Sequence, residues 1–324
     1  MNYDGLSILI TGGAGFIGSH LAERLIQLGA KVTVFDNLSS GSLNNLKAIT
    51  NSKNFEFILG DMLDKKSLKK VIKDKDLIFH LAANPEVRLG YSNPEIDFNK
   101  NLLATRNLLE VLREEKYIGK LIFSSTSTVY GEAKIVPTPE SYGPLIPISL
   151  YGAFKLGCEA LIFAYSHLYG FEAIVYRFAN VVGPRSNHGV VIDFIKKLLI
   201  NPKELLILGD GNQTKSYLAI EDCINAFLHG IENTKSSIEV FNVGSEDTIS
   251  VKRIASIVIE EMGLKDVKLS FKSVKDGRGW MGDVKFMQLD ISKLKKLGWT
   301  PKYNSEKAIR FAVKNQLANM LNKI

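Results

Sequence analysis

The sequence predicts an α/β fold in which a doubly wound parallel sheet is joined to a second, smaller α+β domain. Short apolar, β-branched runs alternate with amphipathic segments through the first half of the chain. A glycine-rich turn links the first run to the first helical segment, and the alternation loosens after about residue 180. With 324 residues, 45% of them hydrophobic, the chain is long enough for a full core and two domains.

The first half predicts about six strands, because each apolar run is nearly continuous. The strands are predicted at residues 7–11, 31–35, 55–59, 76–82, 120–125 and 172–179, and helices at 15–29, 64–74, 94–116 and 150–170. Such strands separated by helices are typical of a parallel sheet covered on both faces. Right-handed crossovers between them give a doubly wound sheet.

The second half predicts a smaller α+β domain. Helices are predicted at 190–200, 221–232, 250–263 and 304–322, with short strands at 204–208 and 239–243. Residues 1–180 are therefore interpreted as a dinucleotide-binding domain and 181–324 mainly as a substrate domain, with room for segments that return to the first domain. The boundary is a shift in composition, since no Ser- or Pro-rich linker separates the halves.

Composition excludes several classes of protein. The net charge of +7 comes from scattered lysines without interleaved aromatics, so no nucleic acid partner is expected and anionic small molecules are favoured. Neither a signal peptide nor a membrane span is visible, which predicts a cytoplasmic protein. Two cysteines and five histidines show no disulfide framework or metal-ligand spacing, so no metal is expected.

A glycine-rich turn predicts a Rossmann-type dinucleotide site. Gly13, Gly15 and Gly18 match G-x-G-x-x-G, and Gly12, Gly15 and Gly18 give an alternative three-residue spacing. A strand precedes the turn and an amphipathic helix follows it. Glycines let the backbone approach a pyrophosphate, and the helix N-terminus supplies free N–H groups. A purely structural glycine turn is the alternative.

Asp36 predicts which dinucleotide binds. It ends the second strand, eighteen residues past Gly18, where a carboxylate accepts from both ribose hydroxyls and repels a 2′-phosphate. Asn37 and Leu38 follow, with no arginine to bind that phosphate. The cofactor is therefore predicted to be NAD and not NADP.

Tyr151 and Lys155 predict the chemistry. They are four residues apart at the start of a helix, so they share one face. Ser124 and Thr126 end a preceding strand and are expected at the same crevice. A nearby ammonium and an oxidised nicotinamide would lower the pKa of the phenol from about 10, so that Tyr151 could take a proton from a sugar or alcohol hydroxyl. The alternative is a buried tyrosine beside a snorkelling lysine.

Four motifs together resemble the extended short-chain dehydrogenase/reductase superfamily, and within it the UDP-glucose (UDP-galactose) 4-epimerases. These motifs are TGGAGFIG, LAANPEV, FSSTSTVYG and YGAFK. The likeness covers essentially the whole chain, including GDGNQTKSY and GRGWMGD in the second half. The Tyr-x-x-x-Lys pair is specific to the superfamily but does not fix the reaction.

The resemblance implies roles for particular residues. Tyr151 is the implied base, Lys155 binds the nicotinamide ribose and tunes Tyr151, and Thr126 is the catalytic hydroxyl. The implied cofactor contacts are Gly12, Gly15, Phe16, Ile17, Asp36, Asn37, Ser40, Gly41, Asp61, Met62, Leu81, Ala82, Ala83, Asn101, Ser124, Tyr151, Lys155 and Phe178. The implied contacts to a UDP-sugar are Asn84, Thr126, Asn180, Lys215 and Arg278.

Two departures affect the diphosphate contacts. Lys215 stands where an arginine is common, which keeps the charge but loses bidentate geometry. Trp280 stands where an arginine usually lies three residues before the aspartate Asp283, so Arg278 is assigned that task.

Ser127 and Thr128 favour epimerisation. Related dehydratases carry Asp-Glu directly after the catalytic threonine, and related decarboxylases carry a glutamate two residues after it. Ser127 and Thr128 instead carry hydroxyls, which are not carboxylate acid/base groups. Oxidation and re-reduction at one carbon, C4, then remains. Met287 replaces a tyrosine that gates against N-acetyl groups, so UDP-N-acetyl sugars are candidate substrates, and Arg185 leaves UDP-glucuronic acid as another.

Three alternatives stay open from the sequence. A UDP-glucuronate epimerase or a net dehydrogenase would carry the same motifs, and a non-catalytic NAD sensor would not need Tyr151 and Lys155. The resemblance also implies a homodimer through the helices at 94–116 and 150–170. Burial on the sheet would give those helices the same apolar pattern.

Overall fold

The computed structural model describes residues 1–321 of the chain. The strands in this range are β1 (Ser7–Thr11), β2 (Lys31–Asp36), β3 (Phe55–Leu59), β4 (Leu77–His80), β5 (Lys120–Thr126), β6 (Glu172–Phe178), β7 (Asn180–Val182), β8 (Glu204–Leu208), β9 (Thr214–Lys215), β10 (Tyr217–Ala219), β11 (Ile238–Val243), β12 (Ile249–Ser250), β13 (Lys268–Lys272) and β14 (Phe286–Met287).

Helices connect most of these strands. They are α1 (Phe16–Gln27), α2 (Lys65–Ile72), α3 (Leu89–Ser92), α4 (Pro94–Asp97), α5 (Ala104–Glu114), α6 (Leu150–Tyr169), α7 (Val190–Ile200), α8 (Ile220–Asn233), α9 (Val251–Glu261), α10 (Ser292–Lys296) and α11 (Ser305–Leu321). A π-helical segment, Phe98–Leu103, joins α4 to α5, and 3₁₀ turns occupy Leu43–Leu46, Ser127–Tyr130 and Lys275–Gly277.

A seven-stranded sheet forms the centre of the molecule, in the order β11-β6-β5-β4-β1-β2-β3. All of its neighbouring strands pair in parallel. The predicted count of six is short by one, because β11 had been assigned to the smaller domain. Only the second half of β11, from Phe241 to Val243, is fully buried, so its sequence lacks the continuous apolar run of the other strands.

The two faces of this sheet bury separate cores, as a doubly wound sheet requires. In β1, Ile8 and Ile10 face one core, together with side chains from α1 and α8. Leu9 faces the other, together with Leu108 of α5 and Ile162 of α6. Alternate residues of a strand point to opposite faces, so β1 is apolar throughout because both faces are covered.

A third apolar cluster supports the smaller α+β part. Residues of α7, α9 and α11 pack there against β8 and β10, with Phe194, Leu205, Ile257 and Ile309 at the centre. The short strands pair as β13-β8, β10-β7 and β12-β9-β14. The predicted fold class is confirmed. Past residue 180 the chain also returns to the large sheet with β11, so the domain limits stay a prediction.

Candidate active site

One cleft runs along the carboxyl ends of the large sheet and into the smaller part. Its volume is about 870 Å³, and its lining extends from Gly12 after β1 to Lys215 in β9. In a doubly wound sheet this edge collects the loops that follow the strands. A cofactor held near Gly12 and a second ligand held near Lys215 would therefore share one continuous space.

The glycine turn leaves no room for side chains. Gly12 has φ +71, and a Cβ there would lie 2.6 Å from the Ala82 backbone nitrogen. A Cβ on Gly18 would lie 2.5 Å from the Gly12 carbonyl oxygen. Gly15 precedes α1, whose first turn has no side-chain cap, so its N–H groups remain free for an anion.

The Asp36 carboxylate ends β2 at this cleft. Its Oδ2 accepts from the Ala14 N–H at 3.0 Å and its Oδ1 from the Leu38 N–H at 2.7 Å. Burial raises the pKa of Asp36, while these two backbone bonds favour its charged form. Each oxygen keeps a lone pair for a ribose hydroxyl. Asn37 donates to Asp61 at 2.8 Å, so both stay at the cleft wall.

Most predicted cofactor contacts line the cleft. They are Gly12, Gly15, Phe16, Ile17, Asp36, Asn37, Ser40, Asp61, Met62, Leu81, Ala82, Ala83, Ser124, Tyr151, Lys155 and Phe178. Gly41 and Asn101 do not line it. Gly41 packs against Ala14, where a Cβ would lie 2.8 Å from the Ala14 carbonyl carbon, and Asn101 is buried behind the wall. The residues present fit a dinucleotide.

Tyr151 and Lys155 lie on the first turns of α6, which Ser149 caps by accepting from the Gly152 N–H at 3.1 Å. Lys155 is 2% exposed. Its Nζ donates to the Ser124 carbonyl oxygen at 2.9 Å and lies 6.0 Å from the centre of the Tyr151 ring. The predicted shared face is confirmed, and the ammonium is held beneath the phenol by a backbone acceptor.

Burial dominates the protonation of this pair. It raises the pKa of Tyr151, and the charge on Asp97 raises it further. Burial lowers the pKa of Lys155 to about 8, although Cys158, Glu159 and Asp97 favour its charged form. The sequence predicts that the Lys155 ammonium together with an oxidised nicotinamide lowers the pKa of Tyr151. The protein's own groups raise this pKa instead, because burial disfavours the phenolate.

Hydroxyl groups cluster where β5 ends, in the same cleft as Tyr151. Thr126 ends β5, and its Oγ1 lies 3.1 Å from Thr128 Oγ1 and accepts from the Thr128 N–H at 3.2 Å. Ser124, Ser127 and Thr128 also line the cleft. The positions that carry acids in related dehydratases thus carry hydroxyls at the cleft wall.

Asn84 and Asn101 meet at a buried carboxylate that the sequence analysis did not single out. Asp97 Oδ1 accepts from Asn84 Nδ2 at 2.8 Å and from Asn101 Nδ2 at 3.1 Å. Asn101 Oδ1 in turn accepts from the Asn84 N–H at 2.9 Å. Both asparagine side chains therefore point away from the cleft and into this network.

Only some of the predicted diphosphate contacts line the cleft. Asn180 and Lys215 line the cleft, whereas Arg278 does not. Lys215 Nζ lies 2.7 Å from Asp283 Oδ1. Arg278 forms an ion pair with Glu132 at 2.6 Å and donates to the Asp283 carbonyl oxygen at 2.5 Å. Trp280 lines the cleft where the assigned arginine does not.

Arg185 and Met287, the two residues considered for sugar selectivity, both line the cleft. Arg185 lines the cleft, but its guanidinium pairs with Glu23 at 2.6 Å and donates to Ser19 Oγ at 3.2 Å. The Arg185 guanidinium is therefore already bound to side chains of α1. Met287 is 8% exposed and lines the cleft from β14.

Other polar residues in the cleft escaped the sequence analysis. Asn187 and His188 follow β7, and Gln213 precedes β9. Burial lowers the pKa of His188, and Glu86 across the cleft opposes that shift. Asn187 and His188 could have been expected at the cleft because they follow a strand. That strand, β7, has only three residues, however, and its sequence does not stand out.

Within residues 1–321, no group of three or more His, Cys, Asp or Glu side chains converges as metal ligands would. None of the described helices combines the length and the apolar character needed to cross a membrane.

Comparison with known proteins gives the family. The model for GDP-mannose 4,6 dehydratase matches residues 9–311. The chain belongs to this family. A putative UDP-glucose 4-epimerase of Methanocaldococcus jannaschii is 36% identical over 313 residues, which cover 94% of this chain and 97% of the relative. The resemblance to extended short-chain dehydrogenases/reductases of the epimerase type is confirmed.

Two solved structures share the whole fold. A UDP-galactose 4-epimerase superposes with a TM-score of 0.85 at 40% identity, covering 97% of this chain and 100% of that one. A UDP-glucuronic acid 4-epimerase variant from Bacillus cereus has a TM-score of 0.85 at 31% identity, covering 96% and 100%. It was solved with UDP-4-deoxy-4-fluoro-glucuronic acid and NAD.

Proposed function

We propose that this protein is an NAD-dependent UDP-sugar 4-epimerase, with UDP-glucose and UDP-galactose as its first candidate substrates. One observation carries the proposal. The Tyr151–Lys155 pair shares its cleft with Thr126, and hydroxyls occupy positions 127 and 128. This set can move a proton at one alcohol but has no carboxylate beside that alcohol for elimination.

NAD, when bound, would supply reversible hydride acceptance. The turn at Gly12, Gly15 and Gly18 would hold its pyrophosphate, because any Cβ at Gly12 or Gly18 would overlap backbone atoms. Asp36 would accept from the ribose hydroxyls. This proposal also predicts that NAD raises the melting temperature of the protein more than NADP does, and a greater effect of NADP would contradict the role of Asp36.

Tyr151 would take the proton of the sugar C4 hydroxyl and give it back to the other epimer. The protein raises the pKa of this phenol by burial, so the positive charge that favours the phenolate would come from Lys155 and the oxidised cofactor together. Thr126 would hold the same sugar oxygen by a hydrogen bond. Lys155, held by the Ser124 carbonyl oxygen, would stay in place through the cycle.

A dehydratase is the competing reaction, since the matching family model carries that name. Elimination needs an acid and a base at neighbouring sugar carbons. Glu86, two residues past Asn84, is one cleft carboxylate, and it is paired with Arg88 at 3.2 Å. The hydroxyls of Ser127 and Thr128 offer no replacement, so epimerisation is favoured.

The sugar-diphosphate end would depend on Asn180 and Lys215. Lys215 would exchange its ion pair with Asp283 for the diphosphate, a single charged contact without bidentate geometry. Arg278 would contribute only if its pair with Glu132 opened. Arg185 is occupied by Glu23, which disfavours a glucuronate carboxylate there. Met287 leaves UDP-N-acetyl sugars as candidate substrates, because methionine adapts its shape.

Assembly and compartment remain parts of the proposal. A homodimer through α5, the π-helical segment and α6 follows from the resemblance, and exposed Leu150, Leu168 and Tyr169 on α6 agree with it. A cytoplasmic location follows from the sequence features already given.

The decisive experiment is proton NMR of the purified protein with UDP-galactose, and in parallel with UDP-N-acetylglucosamine, with no NAD added. Appearance of the 4-epimer would support bound cofactor and reversible oxidation at one carbon. A 4-keto-6-deoxy product would identify a dehydratase. If turnover begins only when NAD is supplied and NADH accumulates, the protein is a net dehydrogenase and the proposal is wrong.

A further inference from the structure

Asp97 is a fully buried carboxylate at the junction of α4 and the π-helical segment. Its Oδ1 accepts two amide hydrogen bonds, from Asn84 and Asn101, whereas its Oδ2 accepts none from the described residues. A buried carboxylate oxygen that accepts no hydrogen bond lowers the free energy of unfolding, so its presence in the fold needs an explanation. Such groups occur where charge has a task.

The position of Asp97 links it to the start of α6. A Cβ on Gly90 would lie 1.9 Å from Asp97 Oδ2 and 3.7 Å from the Cβ of Leu150. Asp97 and Leu150 therefore flank Gly90, and Leu150 directly precedes Tyr151. On the next turns, Cys158 Sγ donates to the Asn101 carbonyl oxygen at 3.5 Å. The Asp97 network and the catalytic helix are thus in direct contact.

The other charges around Lys155 are already balanced or neutral. Glu159 is neutralised by Arg177, whose Nη2 lies 2.6 Å from Glu159 Oε2. Burial raises the pKa of Cys158, which keeps the thiol neutral. Burial and the Lys155 charge lower the pKa of His80 to about 3, so that ring is neutral as well. Among the described residues, Asp97 is the carboxylate near Lys155 that no cation pairs with.

We propose that Asp97 is the positioning residue of this active site. Through Oδ1 it fixes Asn84 and Asn101, and with its negative charge it balances the buried Lys155 ammonium. The inference depends on the proposed function, because it assigns Asp97 to the Tyr151–Lys155 pair used there. Asn101 lies in the π-helical segment that begins after Asp97, and π-helical turns often occur at functional sites.

The charge of Asp97 has a defined consequence for pH dependence. It favours the protonated forms of both Tyr151 and Lys155. Asp97→Asn keeps the shape and one acceptor oxygen but removes the charge. The pKa values of Tyr151 and Lys155 should then both fall, so both limbs of the kcat/KM profile should move to lower pH, by about one unit. A purely structural role would lower the rate at every pH and move neither limb.

The test is the pH profile of epimerisation for wild type, Asp97→Asn and Asp97→Glu. Asp97→Glu keeps the charge, so its limbs should coincide with those of wild type even if its rate falls. Asp222→Asn is the matched control: Asp222 is also buried and accepts backbone bonds, from Lys302 and Tyr303, but lies outside the cleft. Limbs that stay in place in Asp97→Asn would overturn the proposal.

Two further measurements keep the test decisive. If Asp97→Asn does not fold, as judged by thermal unfolding, Asp97→Ser removes the same charge with a smaller side chain and should give the same shift. The ionisation of Tyr151 in the NAD-loaded protein, read as ultraviolet absorbance against Tyr151→Phe, needs no turnover. An inactive wild type would contradict the proposed function, whereas an unchanged tyrosine titration in Asp97→Asn would contradict only the role of Asp97.

Discussion

Tyr151, the proposed base, is held in its protonated form by the protein's own groups. Burial and Asp97 raise the pKa of its phenol, and the nearby Lys155 ammonium is directed to the Ser124 carbonyl oxygen and the Phe123 ring, 4.6 Å away. Further positive charge would therefore favour the phenolate. In the proposed reaction, proton transfer would thereby be linked to the oxidised state of the cofactor, which would prevent proton exchange at an empty site.

Tyr151→Phe tests this residue directly. The ring stays and the hydroxyl is lost, so the rate of epimerisation should fall by about 10³-fold, within the range of general acid–base catalysis. NAD content should not change, because the glycine turn and Asp36 are untouched. The measurement is the NMR turnover rate beside the NAD extracted per protein chain. Activity that remains near the wild-type rate would remove Tyr151 from the role of base.

At the scale of elements, the β1–α1 turn depends on backbone contact that only glycine permits. Gly18 lies inside α1, and its φ is ordinary for a helix, but a Cβ would lie 2.5 Å from the Gly12 carbonyl oxygen and 2.6 Å from the Gly13 Cα. Both obstacles are backbone atoms, which cannot rotate away. Helix α1 therefore approaches β1 at a distance set by the missing side chain.

Gly18→Ala should separate α1 from the turn, abolish copurified NAD and lower the melting temperature. Gly157→Ala is the matched control, since Gly157 also lies in a helix, α6, and its Cβ would meet only the flexible Leu102 Cδ1 at 3.1 Å. That variant should keep its NAD and its stability. Thermal unfolding and cofactor extraction check both. A Gly18→Ala protein with full NAD content would contradict the close approach.

The long elements could be predicted from sequence because their signals are local. The strands at 7–11, 55–59 and 204–208 and the helix at 190–200 are observed with those limits. The two-residue strands β9, β12 and β14 could not be predicted, since pairing between distant segments defines them. Strand β11 was predicted with the smaller domain for the same reason, since only its pairing with the distant β6 places it in the large sheet.

The site residues that could be predicted from sequence are likewise those with a local signal. Asp36 and Thr126 are the last residues of their strands, so strand direction and sheet order place them at the cleft. Arg278 is not at the cleft, because its loop turns it toward Glu132, a residue much earlier in the chain. Asp97 gave no signal, because its partners come from the end of β4 and from a π-helical turn that periodicity does not reveal.

At the scale of the whole molecule, a buried polar network connects α6 to β11, the edge strand of the large sheet. Glu159 of α6 accepts from Ser125 and Arg177, and Arg177 Nη1 donates to the Tyr130 hydroxyl at 2.9 Å. That hydroxyl donates to Asn242 Oδ1 of β11 at 2.8 Å. Five elements, namely α6, β5, β6, the 3₁₀ turn Ser127–Tyr130 and β11, therefore share one chain of hydrogen bonds, with Glu159 only 1% exposed.

Glu159→Gln should lower the free energy of unfolding by about 3 kcal/mol, because it leaves the buried Arg177 guanidinium without its counter-charge. Urea unfolding measures the change. Glu260→Gln is the control, since Glu260 pairs with Arg253 and Arg310 at the surface, where the loss of a pair has little effect. Equal effects of the two substitutions would mean that the buried network does not stabilise the fold.

His80 makes the stability of the fold depend on pH. It is fully buried at the end of β4, where Nε2 lies 3.0 Å from Thr105 Oγ1 and Nδ1 lies 2.8 Å from Thr11 Oγ1. The Thr105 hydroxyl donates to the Asn101 carbonyl oxygen at 2.7 Å, so it accepts from Nε2–H and Nδ1 accepts from Thr11. This pattern requires a neutral ring.

Burial and the Lys155 charge lower the pKa of His80 from 6.5 to about 3. Below pH 6.5 the His80 ring is therefore protonated in the unfolded chain but stays neutral in the folded protein until the pH approaches 3. The contribution of His80 is complete above that pH and declines as the pH falls toward 3, by about 2 kcal/mol at about pH 5. His80→Gln should lose less stability than wild type between pH 7 and pH 5 in urea unfolding, by roughly that amount. His167→Gln, at an exposed position of α6, should follow wild type. Parallel curves for all three proteins would show that His80 is not held neutral.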